Sequence, residues 1–165
     1  MLISPPVFVK TLVSLLAACF LFGGCAEIPT SSSDPTTAPA ASPTAANTIA
    51  AGVFSSSQRE RGEIEYMRTC KRCHQRDLAG DFIEDAPPLI GDEFMSNWKP
   101  WTLGDLFEFL TTDMPPKPKE RREMSAENYA DILAFILDKN GFPAGNAELP
   151  PAFEPLSTIE MNVGE

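Results

Sequence analysis

The chain has 165 residues and a formal net charge of −10 at pH 7, with 23 acidic side chains against 13 lysines and arginines. This acidic balance argues against a nucleic acid partner, because binding to phosphates depends on clustered Lys and Arg. The chain contains only one histidine, His74, and four cysteines, so a metal site has few nitrogen or sulfur ligands available.

Residues 1–24 resemble an export signal. A single lysine, Lys10, precedes an almost wholly apolar run from Thr11 to Phe22. About a dozen apolar residues suit the hydrophobic region of a signal peptide, whereas a transmembrane helix needs ~20. We therefore expect an exported protein on the periplasmic face of a bacterial membrane.

Small residues precede Cys25 and a polar stretch follows it, a pattern that resembles a bacterial lipoprotein processing site. We predict that Cys25 is acylated and anchors the protein to a membrane. Cys19 is the alternative lipidated residue, although cleavage there would cut the apolar run short. An ordinary cleaved signal, leaving a soluble periplasmic protein, is a further alternative. Lipidation is favoured because a free exposed thiol is a liability in an oxidising compartment.

The rest of the chain divides into three parts by composition. Residues 25–52 are rich in Ser, Thr, Pro and Ala, and they cannot bury enough apolar surface to offset the entropy of ordering. They predict a disordered tether. Residues 53–150 have the size of one domain, to which a bound cofactor would add apolar surface. Residues 151–165 are interpreted as a C-terminal tail.

The domain is predicted to be all-α, because no alternating apolar run of strand length is present. A first helix, capped by Ser57, leads into a cysteine motif. A second begins at Thr102 and ends just before Met114. A third, strongly amphipathic helix follows Ser125 and stops at Asn140-Gly141.

The sequence Cys70-Lys71-Arg72-Cys73-His74 follows the first predicted helix. Two thiols with this spacing can each form a thioether with one haem, and the adjacent imidazole then lies under the iron. A zinc site would need a second pair of ligands, but His74 is the only histidine and the other cysteines lie in the N-terminal segment. A thioredoxin-like pair would follow a buried strand rather than a charged helix. We interpret the motif as the attachment site of one covalent haem c.

The second axial position of the iron cannot be filled by histidine from the same chain. A methionine thioether is the leading candidate, because it favours ferrous iron and raises the reduction potential. Met114 stands apart because Pro115 and Pro116 follow it, so its backbone is extended. The residues alone leave the other candidates open; they are Met67, Met95, Met124 and Met161.

Several further segments match a known family, and they span the domain: Gln58, Arg61-Gly62, Tyr66, Asp77 to Gly80, Pro87 to Gly91, Trp98, Thr102-Leu103, Met114-Pro115, Tyr129 to Ala134 and Asn140 to Pro143. Together with the cysteine motif they resemble class I c-type cytochromes. The likeness is strongest to the small monohaem domains associated with pyrroloquinoline-quinone dependent dehydrogenases. It implies the class I cytochrome c fold, with several short helices around one covalent haem.

The resemblance also implies roles for individual residues. His74 and Met114 would be the axial iron ligands. The carbonyl of Pro87, with Pro88 as the neighbouring alternative, would receive the other ring proton of His74 and orient the imidazole. The first and last helices would cross at Gly62 and Tyr66, opposite Leu133 or Ile136.

One segment departs from the family pattern. In relatives, a short turn with glycine joins the last helix to the loop that carries the methionine ligand. That loop is Met114 to Pro116 in this chain and is called the ligand loop below. Here the charged stretch Lys117 to Glu123 takes the place of the glycine turn. Four more basic side chains surround the cysteine motif: Arg68, Lys71, Arg72 and Arg76. We expect these residues to place positive charge near the haem rim and to steer an acidic partner at low salt.

Two classes of function are compatible with such a haem. The first is a one-electron carrier without catalytic residues or a small-molecule substrate. Its partners would be redox proteins, with a quinoprotein dehydrogenase as donor and a terminal oxidase or another cytochrome as acceptor. It could equally serve as the electron-accepting subunit of a dehydrogenase complex. The second is a haem enzyme or a gas or redox sensor with a labile sixth ligand. The carrier is favoured, because an enzyme would need a polar distal group such as histidine, and the only histidine is used.

Overall fold

The computed structural model describes residues 47–164, all of which belong to one compact unit. Within these residues β-sheet pairing is limited to isolated β-bridges, so the predicted all-α class is confirmed. The helices are a 3₁₀ turn at Ile49–Ala51, α1 (Ser56–Thr69), α2 (Lys71–His74), α3 (Gly91–Trp98), α4 (Leu103–Asp113), α5 (Pro118–Arg122), α6 (Ala126–Lys139) and α7 (Phe153–Leu156).

The predicted export signal over residues 1–24 lies outside the described residues. So do Cys25, its alternative Cys19 and most of the predicted tether. Across residues 47–164, every helix is too short or too polar to span a bilayer.

The pair α1 and α6 forms the centre of the fold. Gly62 of α1 allows the two backbones to approach, since a Cβ atom there would lie 1.8 Å from the carbonyl oxygen of Asp131. One turn further on, the ring of Tyr66 packs on Phe135, with centroids 5.2 Å apart. The expectation that the crossing lies opposite Leu133 or Ile136 was wrong. Ile136 faces a cavity on another side of α6, so Asp131 and Phe135 meet α1 instead.

The first helix begins earlier than predicted. The side chain of Ser55 caps it by accepting a 3.0 Å hydrogen bond from the backbone N–H of Gln58, whereas Ser57 lies inside the helix. Three consecutive serines all suit an N-cap by residue type. Ser55 is the cap because its side-chain oxygen lies within hydrogen-bond distance of the backbone N–H of Gln58.

The other two predicted helix starts are confirmed. Thr102 and Asp105 form a reciprocal capping box, with N···O distances of 2.8 and 3.2 Å. Ser125 forms a second box with Asn128, at 3.0 and 3.3 Å, and α6 ends at Asn140 as expected. Each box satisfies backbone N–H groups that a helix leaves without partners.

The compact unit extends beyond the predicted domain of residues 53–150 on both sides. Ile49, placed in the predicted tether, is fully buried, as are Leu156 and Met161 of the predicted tail. Backbone hydrogen bonds join Ile49 to Glu160 at 3.1 Å and Met161 to Trp101 at 3.2 Å. The two ends of the described chain therefore meet beside α4, joined by buried apolar side chains and backbone hydrogen bonds.

A polar cluster fixes the segment after α6 to α1. The side-chain amide of Gln58 donates to the carbonyl of Leu149 at 3.0 Å and accepts from its N–H at 2.7 Å, so both polar atoms of this buried side chain have a partner. Arg61 donates to the carboxylates of Asp131 and Glu148, each at 2.9 Å. These bonds raise the pKa of Arg61 and lower that of Glu148.

Candidate cofactor site

A cavity of about 530 Å³ lies between α3, α4, α6 and the segment after α2. This volume falls within the ~300–1,000 Å³ typical of small-molecule and cofactor sites. Its walls are largely apolar, and they include Leu89, Phe94, Trp98, Leu106, Phe109, Leu110, Ile132 and Ile136. Such a surface suits a large and mostly apolar ligand.

The four predicted anchoring side chains all line this one cavity: Cys70, Cys73, His74 and Met114. They come from two separate parts of the chain, the turn after α1 and the end of α4. Among the described methionines Met114 alone lines the cavity. The fold thus brings together the residues that spacing and family resemblance singled out.

The cysteine motif coils into a tight turn that presents its side chains together. The N–H groups of Cys73 and His74 both bond to the carbonyl of Cys70, at 3.2 and 3.0 Å. Both thiols are free and partly exposed. Burial raises the pKa of Cys70, and a contact with the hydroxyl of Thr69 at 3.3 Å partly offsets this.

His74 is held in a defined orientation. Its side chain is largely buried, and its Nδ1 lies 2.9 Å from the carbonyl oxygen of Pro87. A carbonyl oxygen can only accept, so Nδ1 carries the proton and Nε2 is left as the lone-pair donor. The contact is made by Pro87 and not by its neighbour Pro88.

The backbone beneath His74 is fixed by groups from two helices. The buried hydroxyl of Tyr66 donates to the carbonyls of Gln75 at 2.7 Å and His74 at 3.2 Å. Burial raises the pKa of this phenol. The side chain of Asn140 donates to the carbonyl of Leu89 at 2.9 Å and accepts from the N–H of Gly91 at 3.0 Å. Asn140 was predicted as a helix stop and as part of a segment that matches the family, but no local signal reveals its partner 51 residues away.

Met114 occupies the C-cap of α4, with an extended backbone as its two following prolines predict. The hydroxyl of Tyr129 donates to its carbonyl oxygen at 2.7 Å. The guanidinium of Arg121 donates to the next carbonyl, that of Pro115, also at 2.7 Å. Burial raises the pKa of Tyr129. Neither contact could be inferred from the sequence, in which Tyr129 belongs to the predicted amphipathic helix and to a segment that matches the family.

Part of the chain matches a known protein family. Residues 57–136 match the family described as cytochrome C oxidase, cbb3-type, subunit III. This match supports a c-type cytochrome domain over these residues. The expected class I cytochrome fold is thereby confirmed, and the domain type implies covalent haem c and an electron-carrying role. Neither curated proteins nor solved structures gave a match.

The residues around the cavity fit such a haem. Two thiols, one imidazole with a free Nε2 and one thioether line the same space, and most of the other walls are apolar. In the cytochrome domain Cys70 and Cys73 would form the thioether bonds, while His74 and Met114 would bind the iron. These residue roles stay predictions.

The predicted basic surface near the haem rim is smaller than the residue count suggests. Arg68 pairs with Glu65 at 3.0 Å, and Lys117 pairs with Glu120 at 3.4 Å. Arg121 donates to the carbonyl of Pro115, as described above. Three exposed cations remain beside the cysteine motif: Lys71, Arg72 and Arg76. The segment that departs from the family pattern contains α5, and one of its cations, Arg121, is partly buried against the carbonyl of Pro115.

Proposed function

We propose that this protein is a monohaem c-type cytochrome that carries single electrons between exported or membrane-bound redox proteins. The observation that carries the proposal is the convergence of Cys70, Cys73, His74 and Met114 on one apolar cavity. A haem bound there supplies reversible one-electron iron chemistry.

The surroundings of Met114 favour a carrier over a haem enzyme or a sensor. If the Met114 thioether bound the haem iron, it would leave no open site for peroxide, oxygen or nitric oxide. Most of the charged side chains that line the cavity are exposed, including Arg72, Glu108 and Glu120. The carboxylate of Asp105 is engaged in the capping box with Thr102. The cavity interior is therefore poor in groups that could act as distal acid or base.

We further propose that a quinoprotein dehydrogenase is the donor and that a terminal oxidase or another cytochrome is the acceptor. The protein would act either as a separate carrier or as the electron-accepting subunit of a dehydrogenase complex. The resemblance of the cysteine motif and the ligand loop to such domains supports this assignment. The signal-like residues 1–24 and the cysteine that follows support export and a lipid anchor at Cys25 on the periplasmic face.

A redox titration of the exported, mature protein tests this function. We expect a single transition with n = 1 and, in the ferric state, a near-infrared sulfur-to-iron charge-transfer band. Met114→Ala should abolish the band and lower the midpoint potential, because a soft thioether stabilises ferrous iron. Met95→Ala, which alters a methionine outside the cavity, is the matched control. A high-spin ferric spectrum in the native protein would instead favour the haem enzyme or sensor.

A further inference from the structure

We propose that Tyr129 and Arg121 act as a two-point clamp that keeps Met114 on the iron. The proposal rests on the function given above, in which Met114 is the sixth ligand. The two residues are positioning groups, since they bond to the backbone of the ligand loop and leave the thioether free.

The ligand loop is poor in backbone donors of its own. The N–H of Met114 makes the last helical bond of α4, to Leu110 at 3.2 Å, and the two prolines that follow have no N–H. The loop can be fixed only through its carbonyl oxygens or by packing. Tyr129 and Arg121 donate to two successive carbonyls, those of Met114 and Pro115, both at 2.7 Å.

The two donors come from different elements. Tyr129 is buried on α6, the helix that also supports the His74 side through Asn140. Arg121 lies on α5, and the same guanidinium reaches the carbonyl of Asp113 at 3.4 Å. The loop is therefore tied both to the core and to the short helix that replaces the glycine turn of relatives.

The hydrogen bond from Arg121 gives a positioning role to the charged segment Lys117 to Glu123, in which the chain departs from the family pattern. An exposed charged turn would leave the ligand loop free to swing away, and an external ligand could then take the sixth position. A cation that donates to the loop opposes this opening, because hydrogen bonds to charged donors are among the stronger ones. The clamp thus favours electron transfer over ligand binding.

The neighbouring Arg122 provides a matched control. It belongs to the same five-residue helix, carries the same charge and is exposed, whereas Arg121 is partly buried. Arg121→Gln and Arg122→Gln remove one positive charge each at nearly the same place. A difference between the two variants cannot come from net charge or from helix propensity.

The test is an imidazole titration of the ferric full-length holoprotein. Imidazole binding is monitored by the loss of the sulfur-to-iron charge-transfer band. We expect Arg121→Gln and Tyr129→Phe each to raise the apparent imidazole affinity about tenfold, as the loss of one strong hydrogen bond predicts. Arg122→Gln should stay within about twofold of the unaltered protein. Arg121→Lys, which keeps a cationic donor, should recover part of the loss.

Amide hydrogen exchange supplies a readout that does not depend on iron ligation. A peptide covering α4 and its C-terminal end should exchange faster near Asp113 and Met114 in Arg121→Gln than in Arg122→Gln. Equal imidazole affinities and equal exchange in these two variants would overturn the clamp. Absence of the sulfur-to-iron band in the unaltered protein would instead contradict Met114 ligation and with it the proposed function, while the exchange data would still report on the clamp.

Discussion

Nδ1 of His74 lies 2.9 Å from the carbonyl oxygen of Pro87, so the imidazole is oriented by a backbone group and not by an acidic side chain. The position of that carbonyl depends in turn on the loop that Asn140 holds at Leu89 and Gly91. The end of α6 therefore supports the orientation of His74 indirectly. Asn140 holds the loop at Leu89 and Gly91, and Pro87 of the same loop contacts the imidazole.

Asn140→Ala should loosen this loop. The substitution removes hydrogen bonds to partly buried backbone groups, so we expect the free energy of unfolding to fall by roughly 1–3 kcal/mol. Chemical denaturation of the holoprotein measures the change. Asn146→Ala, at an exposed loop position, should change stability by no more than about 0.5 kcal/mol. Similar losses in both variants would show that Asn140 does not support the loop.

Gly62→Ala should be strongly destabilising. The new Cβ would lie 1.8 Å from the carbonyl oxygen of Asp131, which belongs to the backbone of α6 and cannot rotate away. The two helices would have to separate, at a cost of about 1–3 kcal/mol or more. Thermal unfolding should show a clear drop in the midpoint, while Glu60→Ala on the exposed side of α1 should leave it nearly unchanged. An unaltered midpoint for Gly62→Ala would contradict the close crossing.

Glu148 should contribute to stability in a pH-dependent way. Its pKa is lowered by the hydrogen bond from Arg61, so in acid the unfolded state binds more protons than the folded state. The contribution is present above the unfolded pKa of about 4.3 and is lost as the pH falls through the folded value. Unfolding of the native protein and of Glu148→Gln should therefore differ at pH 6 and converge near pH 3. A constant difference over that range would refute the assignment, and Glu123→Gln is the exposed control.

The exposed cations beside the cysteine motif should influence electron transfer with charged reagents. Reversing the charge with Lys71→Glu or Arg76→Glu should slow oxidation of the ferrous protein by ferricyanide at low ionic strength. It should speed oxidation by the cationic tris(phenanthroline)cobalt(III). Stopped-flow rates should converge toward physiological salt, where the Debye length is about 8 Å. Equal effects on both oxidants would show that these charges do not lie near the route of electron exit.

The features that the sequence predicted correctly are local ones. The caps at Thr102 and Ser125 depend on residues within one helical turn, and the end of α4 before Met114 follows from the two prolines. The tight turn of the cysteine motif likewise depends on hydrogen bonds within five residues. Short-range spacing is enough to predict such elements.

What the sequence did not predict depends on contacts between distant segments. Asp131 and Phe135 of α6 meet α1 at Gly62, whereas Ile132 and Ile136 line the cavity, and this division depends on the packing of the whole fold. The burial of Ile49 and Met161 depends on the two ends of the described chain meeting beside α4. The contacts of Tyr129 and Arg121 with the ligand loop likewise join three elements, and hydrophobic periodicity carries no information about them.

The most direct test of the account is the haem content of the exported protein, made in a strain that matures c-type cytochromes. We expect one haem per chain by alkaline pyridine spectrum, and mass mapping should place it on the peptide that contains Cys70 and Cys73. Cys70→Ser and Cys73→Ser should each yield poorly loaded, unstable protein. A colourless, iron-free native protein with a folded and protease-resistant domain would contradict the central claim.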